Sequence, residues 1–357
     1  MTPVSRPTHG GNLAWAAAIA QCDPAEILDF SASINPLGLP PSALAAIAAA
    51  LPQLTAYPDP SYGPLRSALA AHHDLDPDWI LPGNGAAELL TWAARDLADR
   101  GVTLLPVPAF ADYGRALQAF GARVLPIAPV EPWVWDWSGW LDRDCSPYGL
   151  LLNNPHNPTG HLWTANDLRS LCDRFGLVVV DEAFMDFLRP EQQPSVMGWV
   201  ARYPNLIVIR SLTKFYAMPG LRLGYAIAHP DRLARWQRWR DPWSVNSLAA
   251  AAAIAALADR PFAEQTWAWL TAARSQLFNG LSGRSGLRPF PSAANYLLVK
   301  TAIPSDQLQR KLLQTDRVFI RDCLSFPELG DRFFRVAVRT ESDNQRLLAA
   351  LDRVLPQ

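Results

Sequence analysis

Lys214 sits in the stretch 208–225, VIRSLTKFYAMPGLRLGY, between a β-branched run ending at Ile209 and a second apolar run from Tyr225 to Ala228. Ser211 and Thr213 precede it, and Arg222 follows eight residues on. Burial and a neighbouring cation both disfavour an ammonium ion, so this amine is expected to titrate low and act as a nucleophile near neutral pH. Two hydroxyls and a guanidinium suit a phosphate, the hydroxyls as neutral donors and the arginine as a fork. An amine nucleophile beside a phosphate clamp is the pair of features by which pyridoxal phosphate is held, through an imine and through its phosphate. The competing reading is a surface lysine after a strand.

Asp181 closes the apolar run 177–181, where a carboxylate is costly unless it has a positive partner. A protonated pyridine nitrogen would be such a partner; a helix-capping carboxylate is the alternative. Asn157 lies in the turn NNPHNPTG, 153–160, where its amide could donate to the cofactor's phenolate oxygen, although such turns are often purely structural. Gly83 and Gly85 open a helix expected over 89–97, leaving N–H groups and a helix dipole for an anion. His9-Gly-Gly-Asn12 reads either as a second anion cradle or as a frayed terminus carrying turn residues.

These residues need a frame. Short apolar runs at 102–106, 123–127, 148–153, 177–180 and 206–210 read as strands, with a helix over 165–175 between two of them. That pattern predicts an α/β fold, a three-layer arrangement around a mostly parallel, covered sheet. Ligands in such sheets sit beyond the carboxyl ends of the strands, where Asn153–Gly160, Asp181 and Ser211–Lys214 all fall. After helix 247–258 and a longer one over 261–281, strands at 295–300, 317–321 and 333–338 alternate with helices 305–313 and 343–354. The expected division is a large domain, 46–258, and a small α+β domain built from 1–45 plus 259–357.

The 357 residues exceed one ordinary core, 49% are hydrophobic, and a formal net charge of −1 argues against a nucleic-acid surface. The alanine-rich stretch 248–258 is too short to span a bilayer, and no apolar h-region precedes His9. Four scattered cysteines lack metal-type spacing, so the expectation is no metal and a reduced, cytoplasmic protein with buried thiols.

Together, NPHNPTG, then Asp181-Glu-Ala-Phe184, then Ser211-Leu-Thr-Lys214 with Arg222 resembles the fold-type I pyridoxal-phosphate enzymes of the class I and II aminotransferase superfamily, in order and over nearly the whole chain. The resemblance implies an imine on Lys214, a pyridinium partner in Asp181 and a phenolate contact from Asn157. It also implies that Ser211, Thr213, Arg222 and the backbone of Gly85, Ala86 and Ala87 hold the phosphate, and that Phe110 stacks on the ring. Tyr57 would reach the neighbouring subunit's phosphate site, which implies a homodimer. Arg335 would bind the substrate α-carboxylate, a bidentate role suited to arginine. Histidinol-phosphate aminotransferases usually carry a tyrosine donor three residues after the aspartate; here it is Phe184.

A narrower resemblance, carried by His9–Asn12, Asp29–Gly38, Asp181–Phe187, Arg321-Asp-Cys323 and Arg335–Thr340, is to the threonine-phosphate decarboxylases. It implies loss of CO2 from L-threonine O-3-phosphate to give (R)-1-amino-2-propanol O-2-phosphate for the cobalamin side chain. His9, Asn12, Arg321 and Arg339 are the candidates for the substrate phosphate, with Asn157 and Arg335 beside them. Ser33 stands where many relatives have asparagine and is assigned no role. The same side chains serve decarboxylation and transamination, so a histidinol-phosphate-type aminotransferase is the second reading. A non-catalytic regulatory module is the third; such modules usually append a DNA-binding domain, for which no residues are left over.

Overall fold

The computed structural model describes residues 6–355. Among them are twelve strands: β1 (Leu28–Asp29), β2 (Ile80–Asn84), β3 (Thr103–Pro106), β4 (Val124–Ile127), β5 (Gly149–Asn153), β6 (Leu177–Asp181), β7 (Leu206–Ser211), β8 (Leu223–Ala228), β9 (Leu287–Pro289), β10 (Tyr296–Thr301), β11 (Val318–Phe319) and β12 (Phe333–Ala337). Seven form the main sheet in the order β2-β8-β7-β6-β5-β3-β4, parallel except at β8, which runs against both neighbours.

Successive side chains of a strand face opposite ways. Here Leu177, Val179, Ile207 and Ile209 join one core, while Val178, Val180, Leu206 and Val208 join the other. Both faces are covered, which is why these strands read as unbroken apolar runs rather than alternating ones. The exposed edge is β4, where Val124 and Leu125 keep more than a third of their surface open.

β2 corrects the expectation for the glycines at 83 and 85. Gly83 belongs to this edge strand, and the helix Gly85–Ala98 starts four residues before the expected 89. The helix Pro230–Trp239 has no counterpart among the expected elements either.

The C-terminal part carries the antiparallel sheet β12-β10-β9. The N-terminal segment joins it through parallel pairing of β1 with β11 and through helix Leu13–Ala20 against Ser305–Asp316. Helix Pro41–Ala50 packs instead on Ser247–Ala258, and both are rich in alanine. Of the expected small-domain segment 1–45, residues 1–5 lie outside the described residues. All four cysteines are free; Cys145, Cys172 and Cys323 are buried and Cys22 is partly so. Among the described residues no helix is long and apolar enough to cross a membrane, and no group of His, Cys, Asp or Glu side chains could hold a metal ion.

Candidate active site

The ends of β5, β6 and β7 stand side by side. Asn153 is in register with Asp181, Asp181 with Ile209, and Ser211 with Gly224. A cavity opens there and brings Ala86, Ala87, Phe110, Asn157, Asp181, Ser211, Thr213, Lys214, Arg222, Arg321, Arg335 and His9 onto one wall system.

Lys214 lies on the single-turn helix Leu212–Phe215, entered through Ser211, whose Oγ lies 2.7 Å from Thr213 Oγ1. Burial, then the charges of Arg335 and Arg222, push the amine down to about 8, against a smaller opposing pull from Asp181. The loop is braced from the N-terminal segment. Asn35 donates its backbone N–H to the Lys214 carbonyl at 3.1 Å and its amide to the Phe215 carbonyl at 2.8 Å and Thr266 Oγ1 at 2.9 Å. Nothing near Asn35 in sequence announces this role; the contact spans 180 positions.

Two glycines let the phosphate donors converge. A Cβ on Gly85, whose φ is +72°, would lie 2.6 Å from Arg222 Nη2, and one on Gly224 would lie 2.6 Å from the Ala86 nitrogen and 2.7 Å from the Arg210 carbonyl oxygen. Asn84, at the helix N-cap, makes no side-chain cap, so the first-turn N–H groups are left for another acceptor. The amides of Ala86 and Ala87, both hydroxyls and Arg222 form a donor set with no anion of its own, which fits a phosphate.

Asp181 accepts the Tyr113 hydroxyl at 2.8 Å on Oδ2 and the Ala183 N–H at 3.0 Å on Oδ1. Burial raises its pKa while these bonds and Lys214 oppose the rise. Phe110 meets Tyr113 edge-on, with centroids 5.6 Å apart, and His9 at 5.5 Å. Burial and Arg321 hold the His9 imidazole below its ordinary pKa.

Arg335 is buried and donates to Asn157 Oδ1. Arginine has donors only, so Asn157 must turn its oxygen toward Arg335, which leaves its NH2 free to donate into the cavity. Arg335 and Arg321 are bridged through their backbones at 2.7 and 3.0 Å. Burial first, then the Arg335 charge, push Arg321 down to about 10. Arg321 bonds the Thr8 carbonyl and Ser325 Oγ, and the Nε of Arg335 has no partner. Neither arginine forms an ion pair among the described residues.

Two expected contacts fall elsewhere, and a third is partly spent. Arg339 is absent from the cavity wall; it pairs with Asp343 at 3.1 Å and donates to the Asp29 carbonyl, because β12 ends before it and the chain turns into the last helix. Asn12 caps helix Leu13–Ala20, accepting the Trp15 N–H at 3.0 Å, and faces an adjoining cleft. The Gly10–Gly11 cradle is partly spent, since the Gly11 N–H donates to Ser31 Oγ at 2.8 Å. Tyr57, expected at the neighbouring subunit's site and not at this one, is 80% exposed and stacks on Trp243.

The donor set, the desolvated lysine and the hydrogen-bonded aspartate fit pyridoxal phosphate. The family model described as aminotransferase class I and II matches residues 25–351. The chain is 40% identical to the threonine-phosphate decarboxylase of Salmonella typhimurium, over 97% of this chain and 96% of that one. It is 35% identical to histidinol-phosphate aminotransferase 2 of Ralstonia nicotianae, over 93% and 90%. The crystal structure of the histidinol-phosphate aminotransferase from Clostridium acetobutylicum superposes with a TM-score of 0.85 at 30% identity, covering 91% of this chain and 98% of that one. The chain belongs to the class I and II aminotransferase family of pyridoxal-phosphate enzymes.

Proposed function

We propose that this protein decarboxylates L-threonine O-3-phosphate to (R)-1-amino-2-propanol O-2-phosphate, a component of the cobalamin side chain, using pyridoxal phosphate held covalently by Lys214. One observation carries the reading: beyond the phosphate clamp, two buried guanidiniums, Arg321 and Arg335, face the cavity without a carboxylate partner. Buried charges are costly unless paired, so the missing partners are most simply supplied by a ligand with two further anionic groups. A phosphorylated amino acid brings both in one substrate; histidinol phosphate has one, and an aminotransferase would fill both arginines only with its dicarboxylate co-substrate. The 40% relative is consistent with that choice.

When bound, pyridoxal phosphate supplies an electron sink for a negative charge at the substrate Cα. In this reading Asp181 keeps the ring nitrogen protonated, and Asn157 donates its free amide to the phenolate oxygen. Phe184, packed edge-on against Tyr296 at 5.0 Å, offers no second donor there. Arg335 binds the α-carboxylate, and Arg321 with His9 takes the substrate phosphate, His9 as a neutral donor. Lys214, when its amine is free, would be the group placed to carry a proton to Cα. The division into 46–258 and 1–45 plus 259–357 belongs to the same reading, supported by the packing of residues 13–29 on the C-terminal part.

We also read the chain as a cytoplasmic homodimer. Leu44, Leu51, Leu54, Tyr57 and Trp243 are all exposed large hydrophobics, and Tyr57 would complete the partner's phosphate site. Cofactor-loaded protein should release CO2 from threonine phosphate without a keto acid. Keto-acid-dependent consumption of histidinol phosphate with no CO2 from threonine phosphate would favour the aminotransferase instead.

A further inference from the structure

We propose that Tyr113 is the positioning residue for Asp181, its phenol fixing one carboxylate oxygen so that the group stays ionised and aimed at the cofactor ring. This inference rests on the cofactor reading above. Asp181 ends a strand buried on both faces, an environment that favours the neutral acid. Only two groups donate to it among the described residues: the Ala183 backbone and the Tyr113 hydroxyl at 2.8 Å. Tyr113 is 1% exposed, and burial and the adjacent carboxylate both raise its own pKa, so it donates throughout the working range. The other titratable groups around the carboxylate are Lys214, Glu182 and Tyr296, with His9 and Asp112 across the adjoining cleft. Arg222 and Arg335 line the same cavity, but Lys214 is the cation that acts directly on this carboxylate, and it is committed to the cofactor.

The placement follows from helix geometry. Phe110 leads into helix Ala111–Ala119, and Tyr113 lies three residues on, with its ring packed edge-on against Phe110. One segment thereby supplies both the ring expected to stack on the cofactor and the donor for the residue opposite its nitrogen. A phenylalanine at 113 would keep that packing and remove the bond alone.

The consequence is electrostatic. A carboxylate that loses a donor becomes a stronger base and draws the ring proton toward itself. A less positive ring repels the proton on the lysine-linked nitrogen less, so that nitrogen holds its proton to higher pH. The measurement is an absorbance titration of the bound cofactor in wild type and Tyr113→Phe. The expected result is a midpoint at least about half a pH unit higher in the variant, with cofactor still bound and thermal midpoint nearly unchanged. Should Tyr113→Phe not fold, 2,3-difluorotyrosine at 113 keeps the shape, strengthens the donor and should lower the midpoint. Unchanged midpoints in the altered proteins, beside a normal wild-type band, would overturn the role of Tyr113 alone. A wild-type protein with no cofactor band would overturn the cofactor reading and this inference together.

Discussion

Three side chains carry separable expectations. Arg335 is buried with its guanidinium open to the cavity, so Arg335→Lys, which keeps charge but loses the fork, should cost about 2–4 kcal/mol, roughly 30- to 700-fold in kcat/KM. The bound cofactor's spectrum should stay as in wild type; a loss below about threefold would remove Arg335 from substrate binding. His9→Ala should raise KM for threonine phosphate with little loss of cofactor, and an unchanged KM would count against His9 as a phosphate ligand. Lys214 is held near 8, so in cofactor-free protein its neutral fraction falls about tenfold per unit below that pH and is nearly complete above about 9. The initial rate of imine formation with added cofactor should follow that curve; a rate still climbing past about 10 would mean an ordinary exposed lysine. Residue types and spacing made Lys214, Asp181 and the hydroxyls legible because all lie at strand ends within single short runs. Asn35 and Tyr113 were not legible, since each acts on a residue far away in sequence. The one local hint was the Phe110–Tyr113 spacing.

At the scale of elements, the apolar runs revealed β5, β6 and β7 because both their faces are buried. β2 was hidden by its Pro-Gly-Asn ending, which with the Gly85 that follows looks like a turn. Helix Pro230–Trp239 was masked by its arginines, two of which fold onto the buried Asp96 at 2.5 and 2.7 Å. β7 also contains Arg210, fully buried and paired with Glu182 at 2.8 Å and Asp186 at 2.5 Å. Breaking a buried pair from one side leaves an uncompensated charge, typically about 3–5 kcal/mol. Arg210→Met should therefore lower the thermal midpoint by about 5 °C or more. An unchanged midpoint would mean that the carboxylates are already neutral or hydrated. This network stands behind the site: Glu182 follows Asp181 directly, and Arg210 precedes Ser211.

At the scale of the molecule, an exposed tyrosine stacked on an exposed tryptophan makes sense as half of a shared site. If Tyr57 acts across a dimer, mixing Lys214→Ala chains with Tyr57→Ala chains regenerates one intact site per mixed dimer. About a quarter of wild-type activity per site should return after subunit exchange, on statistical pairing. No return above the sum of the separate variants would place Tyr57 outside the partner's chemistry. In the proposed reaction the substrate nitrogen stays on the product while carbon dioxide leaves. Incubating cofactor-loaded protein with nitrogen-15 threonine phosphate and 2-oxoglutarate, then tracing the label by mass spectrometry, tests it most directly. A decarboxylase gives labelled phosphorylated aminopropanol and unlabelled glutamate; labelled glutamate, with no aminopropanol phosphate formed, would overturn that function.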